Sequence, residues 1–299
     1  MSSAQVAAKS IRELEPEDWA VLHAIENAMS DHESVSNKLI EAESLLHHDQ
    51  VEFRLSRLNY MGFVMRTRFG YILNAAGLDA LALNSLVSRN LIASMGKSIG
   101  MGKESDVFEV LGDSGRQLVV KFYRIGRVSF RSTRRTRSYT NPQTLHQWLA
   151  INIAAAQKEA IGLKKASQAE IDVPELIARD RHAVLMSEID GKMLFKCSRE
   201  DIKKPKLLLK KVLEDIKKAY SADMINGDIS EFNILFDGVK PWIIDWPQFV
   251  PVTHANAPEM LKRDVENAGS FFERKFGIKF VLDDAIAYVK GQKNRIAIS

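Results

Sequence analysis

The densest chemistry in the sequence lies in NGDISEFNILFDGVKPWIIDWPQ, Asn226 to Gln248. Asp237–Gly238 marks a tight turn, and a hairpin centred near Val239 sets Asn233 opposite Asp245. An amide carbonyl beside a carboxylate supplies hard oxygen donors, the kind that hold Mg²⁺ against phosphate. Asp228, in a short loop after Gly227, enters the same pocket independently and suits orienting or deprotonating an acceptor. Each residue alone also has a plainer reading: a turn cap, a local hydrogen bond, a strand end.

A second set of groups upstream favours chemistry. SIGMGKESDVF, Ser98 to Phe108, sets Gly100 and Gly102 among apolar residues. Glycines there either let backbone N–H groups approach phosphate or merely serve a hairpin turn. Glu104 and Ser105 add groups able to bond phosphate or brace the loop. Lys121 stands in the apolar strand LVVKFY, where an ammonium must snorkel to solvent or meet an anion. Counted back through the LGDSG turn, it lies across the hairpin from the exit of the glycine loop. A helix opening at Pro142 carries Trp148, Ala155 and Glu159 near one face, and Glu159 is the expected partner of Lys121, with a solvated Glu as the alternative. In this order the parts favour phosphoryl transfer by charge neutralisation and in-line positioning.

Ahead of these groups the pattern is helical. Helices are expected over Glu17–Ala28, near Val35–Leu46, from Asp49 and over Ala75–Val87, with two short strands around an Arg-rich turn in Gly62–Leu73. Three helices and a two-stranded ribbon describe a winged-helix module, with Arg54, Arg57, Arg66 and Arg68 as candidate nucleic-acid contacts. Residues 1–90 hold 8 Lys or Arg against 12 Asp or Glu, which works against tight non-specific DNA binding; the rest holds 34 against 26. Beyond about Gly96 a small strand-rich lobe is followed by a helical one. It includes the strand AVLMSEI, a Lys-rich helix over Lys203–Tyr220, and two helices around 258–273 and 282–289.

The order and wording of GMGKESDVF, VVKFYRIGRVSFR, NGDISEFNIL and IIDWPQ resemble the RIO-type atypical protein kinases, in the subfamily with an N-terminal winged helix and, by compactness, its archaeal members. The resemblance spans essentially the whole chain. It implies an α+β fold: a winged-helix domain over 1–90, then a compact two-lobed protein-kinase-like domain over 91–299. Its N-lobe would cover about 96–186, its hinge 187–191 and its C-lobe 192–299. It places Gly100, Gly102, Lys103, Glu104 and Ser105 in the nucleotide loop, Lys121 on phosphates and paired with Glu159, and Met186, Glu188 and Ile189 at the adenine hinge. Asp228 becomes the catalytic-loop Asp, and Asn233 and Asp245 the metal ligands.

Asp245 also matches a residue that becomes an acyl-phosphate in the subfamily, so serine autophosphorylation and ATP hydrolysis through phospho-Asp245 are both expected. ATP and Mg²⁺ or Mn²⁺ are the implied cofactors. The implied setting is maturation of the small ribosomal subunit, with the immature subunit and its RNA as partners. Many relatives carry His where this chain has Asn226, and Asn cannot gain a proton near neutral pH. Only 54 residues follow Asp245, too few for a long activation segment and peptide-docking helices. Arg124, Arg127, Arg131, Arg134, Arg135 and Arg137, interleaved with Tyr123 and Phe130, are the candidate ribosomal RNA contacts.

Bulk composition sets the outer limits. The chain is 45% apolar with a formal charge of +4, enough to bury a large core. No run approaches a membrane span, and the opening lacks the apolar centre of a secretory signal, so a cytoplasmic address is expected; a monomer with an exposed basic face suits the ribosome docking that the resemblance implies. One cysteine, Cys197, excludes an internal disulfide and a thiolate-zinc cluster. Two other functions fit parts of the sequence: a small-molecule kinase of the same general fold, and a winged-helix nucleic-acid regulator with a degenerate nucleotide domain.

Overall fold

A computed structural model describes residues 1–126 and 142–299. By internal packing the chain divides into two units. The first contains 1–156 and 178–185, the second 157–177 and 186–299.

The first unit opens with helices α1 (Ser3–Ser10), α2 (Pro16–Ala28), α3 (Asn37–Ser44) and α4 (His48–Met61). Local chemistry starts and stops them. Ser2 and Gln5 form a capping box on α1, Pro16 opens α2, and Gly62 ends α4 in the left-handed region at φ +80°. Strands β1 (Val64–Arg66) and β2 (Tyr71–Leu73) form the expected antiparallel ribbon, and α5 (Ala75–Ser88) follows behind an Asn74 cap. Val21, Leu22 and Ile25 of α2 and Val51, Leu55 and Leu58 of α4 are fully buried in the core. Helix α1, which the sequence reading did not anticipate, packs on α5.

A five-stranded sheet comes next, in the order β3 (Ser94–Met101), β4 (Ser105–Leu111), β5 (Gln117–Tyr123), β7 (Ala183–Ser187), β6 (Leu176–Asp180). Helix α6 (Pro142–Gln168) contributes to both units.

In the second unit, α7 (Pro205–Ser221) and α8 (Ala257–Phe276) pack together, joined by α9 (Leu282–Val289). Leu209, Val212, Leu213, Leu261, Val265 and Phe272 form their buried stripes. The strands β8 (Lys192–Met193), β9 (Ile234–Phe236) and β10 (Pro241–Ile243) make a small sheet in the order β10-β9-β8. The β9–β10 hairpin corrects the expected register by one residue. Phe236 pairs with Pro241 and Ile234 with Ile243, so Asn233 stands opposite Ile244, whose N–H it accepts at 3.1 Å, rather than opposite Asp245. The cause is the turn: the Asp237 carboxylate accepts the N–H groups of both Val239 and Lys240, closing a four-residue loop with Gly238 at φ +92°. From Asp245 the chain runs through residues 246–256 directly into α8, and Val250 is bonded to Ile225 on the way. Among the described residues no helix is long and apolar enough to cross a membrane.

Candidate functional site

In the first unit the glycine hairpin is built on register. Gly100 pairs with Val107, and Val107 pairs with Lys121. Directly paired residues of neighbouring strands point to one face, so Lys121 shares the face that Gly100 leaves bare. The β3 register is irregular on either side of Ser98, which marks a bulged edge strand. The Gly102 N–H donates to the Ser105 carbonyl at 2.8 Å and closes the turn that exposes Lys103 and Glu104.

Neither Gly100 nor Gly102 has a positive φ, and a Cβ at either would meet neighbours only at ordinary contact distances, 3.8 and 3.5 Å. The turn therefore does not require glycine. What the two glycines provide is uncovered backbone, as a phosphate cradle needs. Lys121 is 7% exposed, its ammonium 4.9 Å from the centre of the Tyr123 ring.

The second unit holds Glu159, Met186, Glu188, Ile189, Asp228, Asn233 and Asp245. Asp228 is exposed and Asp245 half-buried, yet the backbone around both is tied down. The Asn226 side chain donates to the Asp245 carbonyl at 2.7 Å and accepts the Asp228 N–H at 3.0 Å, so one amide locks the loop and the strand end together. Asn233 donates its amide to both the carbonyl and the carboxylate of Asp228, at 2.9 and 2.7 Å, which leaves its Oδ1 as the atom suited to a metal.

Glu159 is fully buried and accepts the Trp246 N–H at 2.7 Å, fixing the residue after Asp245. Gly162, one turn later, admits Trp246 so closely that a Cβ would lie 2.7 Å from the Trp246 Cβ. The hinge strand is secured in the same way. Ser187 and Glu175 exchange two hydrogen bonds at 2.9 Å, with Met186 buried just before them and Glu188 and Ile189 half-buried after.

Three residues of α8 complete the support and escaped the sequence reading. Asp264 is 1% exposed and accepts the N–H groups of Gly227 and Ile229, at 2.7 and 3.0 Å, so it suspends the backbone on both sides of Asp228. Arg263 donates to the Gly227 carbonyl and Asn267 to the Ile229 carbonyl. Burial pushes the Asp264 carboxyl up to about 6, against the two backbone bonds and the Arg263 charge. The available signal was a carboxylate on the apolar stripe between Leu261, Val265 and Ala268.

The donor set of Asn233 and Asp245 suits Mg²⁺. That ion takes one or two protein oxygens and completes its shell with phosphate and water.

Several expected nucleic-acid contacts are corrected. Arg54 donates to Glu15 and Glu17 at 2.8 and 3.3 Å, and Arg57 to Glu15 at 3.2 Å, to Asp18 and to the Glu13 carbonyl. Their charge is taken up by the acidic start of α2. Arg124 is 2% exposed and bound to Asp79 and Asp106, so it cannot face a polyanion. Arg66 and Arg68 are exposed. Arg127, Arg131, Arg134, Arg135 and Arg137 lie outside the described residues.

Comparison with known proteins gives a consistent result. Residues 106–285 match the RIO domain family, and residues 11–89 the family of Rio2 N-terminal domains. A RIO-type serine/threonine-protein kinase Rio2 of Methanocaldococcus jannaschii is 38% identical, over 82% of this chain and 92% of its own. The Dictyostelium discoideum serine/threonine-protein kinase rio2 is 34% identical over 90% of this chain, which spans about half (52%) of that relative. The crystal structure of the Chaetomium thermophilum Rio2 kinase as an ADP/Mg²⁺–phosphoaspartate complex superposes with a TM-score of 0.82 at 31% identity, covering 96% of this chain and 93% of that one.

Proposed function

From the premise that this chain belongs to the RIO kinase family, in its Rio2 branch of serine/threonine kinases, we propose that it moves the γ-phosphoryl group of ATP onto Asp245 or onto a serine, in the service of small ribosomal subunit maturation. The observation that carries the chemistry is the Asn226 amide, which binds the Asp245 strand end and the Asp228 loop into one assembly. An Asp245 carboxylate oxygen forms a bond to the γ-phosphorus as the bond to the ADP oxygen breaks. Water then attacks the acyl-phosphate, and inorganic phosphate leaves. Asp228 takes the proton of the attacking water, or of a serine hydroxyl in the autophosphorylation branch. Lys121, from beneath the glycine loop, offsets charge on the phosphates, and the turn about Gly100 and Gly102, with no side chain to hold phosphate off, would let backbone N–H groups of the loop donate to the phosphate oxygens. Asn233 Oδ1 and the Asp245 carboxylate would hold Mg²⁺, which neutralises the triphosphate when bound. The hinge segment Met186–Ile189 would present backbone groups to the purine edge. The ADP, Mg²⁺ and phosphoaspartate described for the Chaetomium enzyme support this reading.

The assembly role adds a partner, the immature small subunit and its RNA, reached through Arg66, Arg68 and the arginines of 127–137, by a cytoplasmic monomer. Co-sedimentation tests it. Binding is expected to immature but not mature subunits, and to weaken after turnover of ATP but not of a non-hydrolysable analogue. Equal binding to both particles in every nucleotide state removes the assembly role. For the chemistry, acid-quenched enzyme labelled from γ-³²P-ATP should lose its label to hydroxylamine, and label found in small molecules instead would favour a small-molecule kinase.

A further inference from the structure

Arg124 follows the last residue of β5 and does two things at once. Its N–H donates to the carbonyl of Glu104 at 2.6 Å, which latches the exposed turn of the glycine hairpin. Its guanidinium donates through Nε to Asp106 at 3.2 Å and through a terminal nitrogen to Asp79 Oδ2, on α5 of the N-terminal domain, at 2.7 Å. The other Asp79 oxygen meets His182 Nε2 at 2.8 Å, and the His182 carbonyl accepts the Tyr123 N–H at 3.0 Å. None of the four side chains is more than 2% exposed.

Asp79 is foreign to its own helix, where Leu78, Ala80, Leu81, Ala82 and Leu83 are all buried apolar residues. A carboxylate there carries a desolvation cost that only a fixed cation and good hydrogen bonds offset. Burial pushes its pKa up, but the Arg124 charge and the bonds from His182 and Ser3 outweigh that and hold it below the ordinary carboxylate range. Burial pushes His182 down, which leaves a neutral imidazole and makes Arg124 the cation of the group. The N-terminal domain has a second anchor that does not involve the glycine hairpin: the Glu26 carboxylate of α2 accepts from Nε and one terminal nitrogen of Arg181 at the β6–β7 turn, while the other terminal nitrogen is held by Asp180.

We propose that Arg124 is a positioning residue for the nucleotide loop and that Asp79 holds it from the N-terminal domain, so that this domain sets the affinity for ATP. The proposal rests on the reading of Gly100–Ser105 as the nucleotide loop. A bidentate guanidinium fixed on both sides allows its own backbone little rotation, and the Glu104 carbonyl is bonded to that backbone. An event that shifts α5 would thereby loosen the turn without touching Asp228 or Asp245.

The test compares the full-length protein with D79N, R124K and E26Q, by equilibrium titration with MgADP, steady-state kinetics with ATP and thermal melting. In D79N and R124K the ADP Kd and the ATP KM are expected to rise about tenfold, with kcat at saturating ATP within about twofold, the signature of lost binding that ground and transition states share. E26Q is expected to lower the melting temperature and leave nucleotide affinity unchanged. Wild-type affinity in D79N and R124K would overturn the proposal, as would an E26Q affinity loss matching that of D79N.

If D79N does not fold, hydrogen exchange on the wild type decides. MgADP should slow exchange at the Arg124 amide and around Asp79. Protection confined to residues 102–105 contradicts the coupling. A wild type that binds no MgADP overturns the nucleotide reading itself, a failure distinct from wild-type-like variants.

Discussion

The segment proposed for catalysis, Asn226–Trp246, and helix α4 treat conspicuous charge in opposite ways. In α4 the arginines are the end of the story: Arg54 and Arg57 close onto Glu15, Glu17 and the fully buried Asp18, and their charge is used within the fold. Around Asp228 and Asp245 the fold commits other polar side chains to the neighbouring backbone: Asp264, Asn226, Arg263, Asn267 and Glu159. We infer that charge kept for chemistry is recognised less by its own type than by the support given to the chain that carries it.

The hardest blow to this contrast is removal of the supported groups. D228A is expected to lower kcat by about 10²–10⁴-fold without a change in far-ultraviolet dichroism, and a loss under tenfold would break the comparison. Removing support alone should cost less. D264N keeps the size but offers one acceptor where two N–H groups need one each, and a displaced Asp228 is expected to cost about 10²-fold in kcat.

The same variant has a stability signature. The folded Asp264 keeps its proton to about 6 while an unfolded Asp loses it near 3.8, so its contribution is complete at low pH and is lost as pH rises through that window. Denaturant titrations from pH 4 to 6 should show wild type losing stability relative to D264N.

A finer probe is N226H. A neutral imidazole can donate to the Asp245 carbonyl and accept the Asp228 N–H, whereas an imidazolium cannot accept. The variant should match wild type at pH 8 and lose activity through an added acid limb near pH 6.5, about tenfold below it. An unshifted profile would mean that the Asn226 bridge is incidental. The smallest effect on function is expected in α4. R57A, which strips a charge-assisted bond from the buried Asp18 but leaves Arg54 beside it, should cost about 2 kcal/mol in stability and leave RNA binding unchanged, while R66A/R68A should weaken binding and flatten its salt dependence.

How much of this was legible in the sequence depended on the distance between cause and effect. Strands β4 and β5 and the LGDSG turn are local patterns, and they place Lys121 across the hairpin from the exit of the glycine loop, where it pairs with Val107. Strand β3, with its glycines and bulge, has no clean alternation and read as loop. The one-residue slip at Asn233 came from the Asp237 side chain, which selects a four-residue turn that the spacing of apolar residues does not encode. Asp264 acts on a loop 37 residues away, and Arg57 meets an Asp 39 residues before it. Such pairings are made by packing of helices, and no local periodicity announces them. Arg124 looked like one of a basic run because its carboxylates come from α5 and β4.

Asp245, its carbonyl held by Asn226 and the next N–H by Glu159, is the proposed phosphoryl acceptor. Borohydride reduction after a single turnover converts an aspartyl phosphate into homoserine and marks the residue. With MgATP, mass spectrometry should find homoserine at position 245 in the wild type and none in D245N. Homoserine at another aspartate, or none while ATP is turned over and no serine is labelled, would rule out Asp245 as the acceptor.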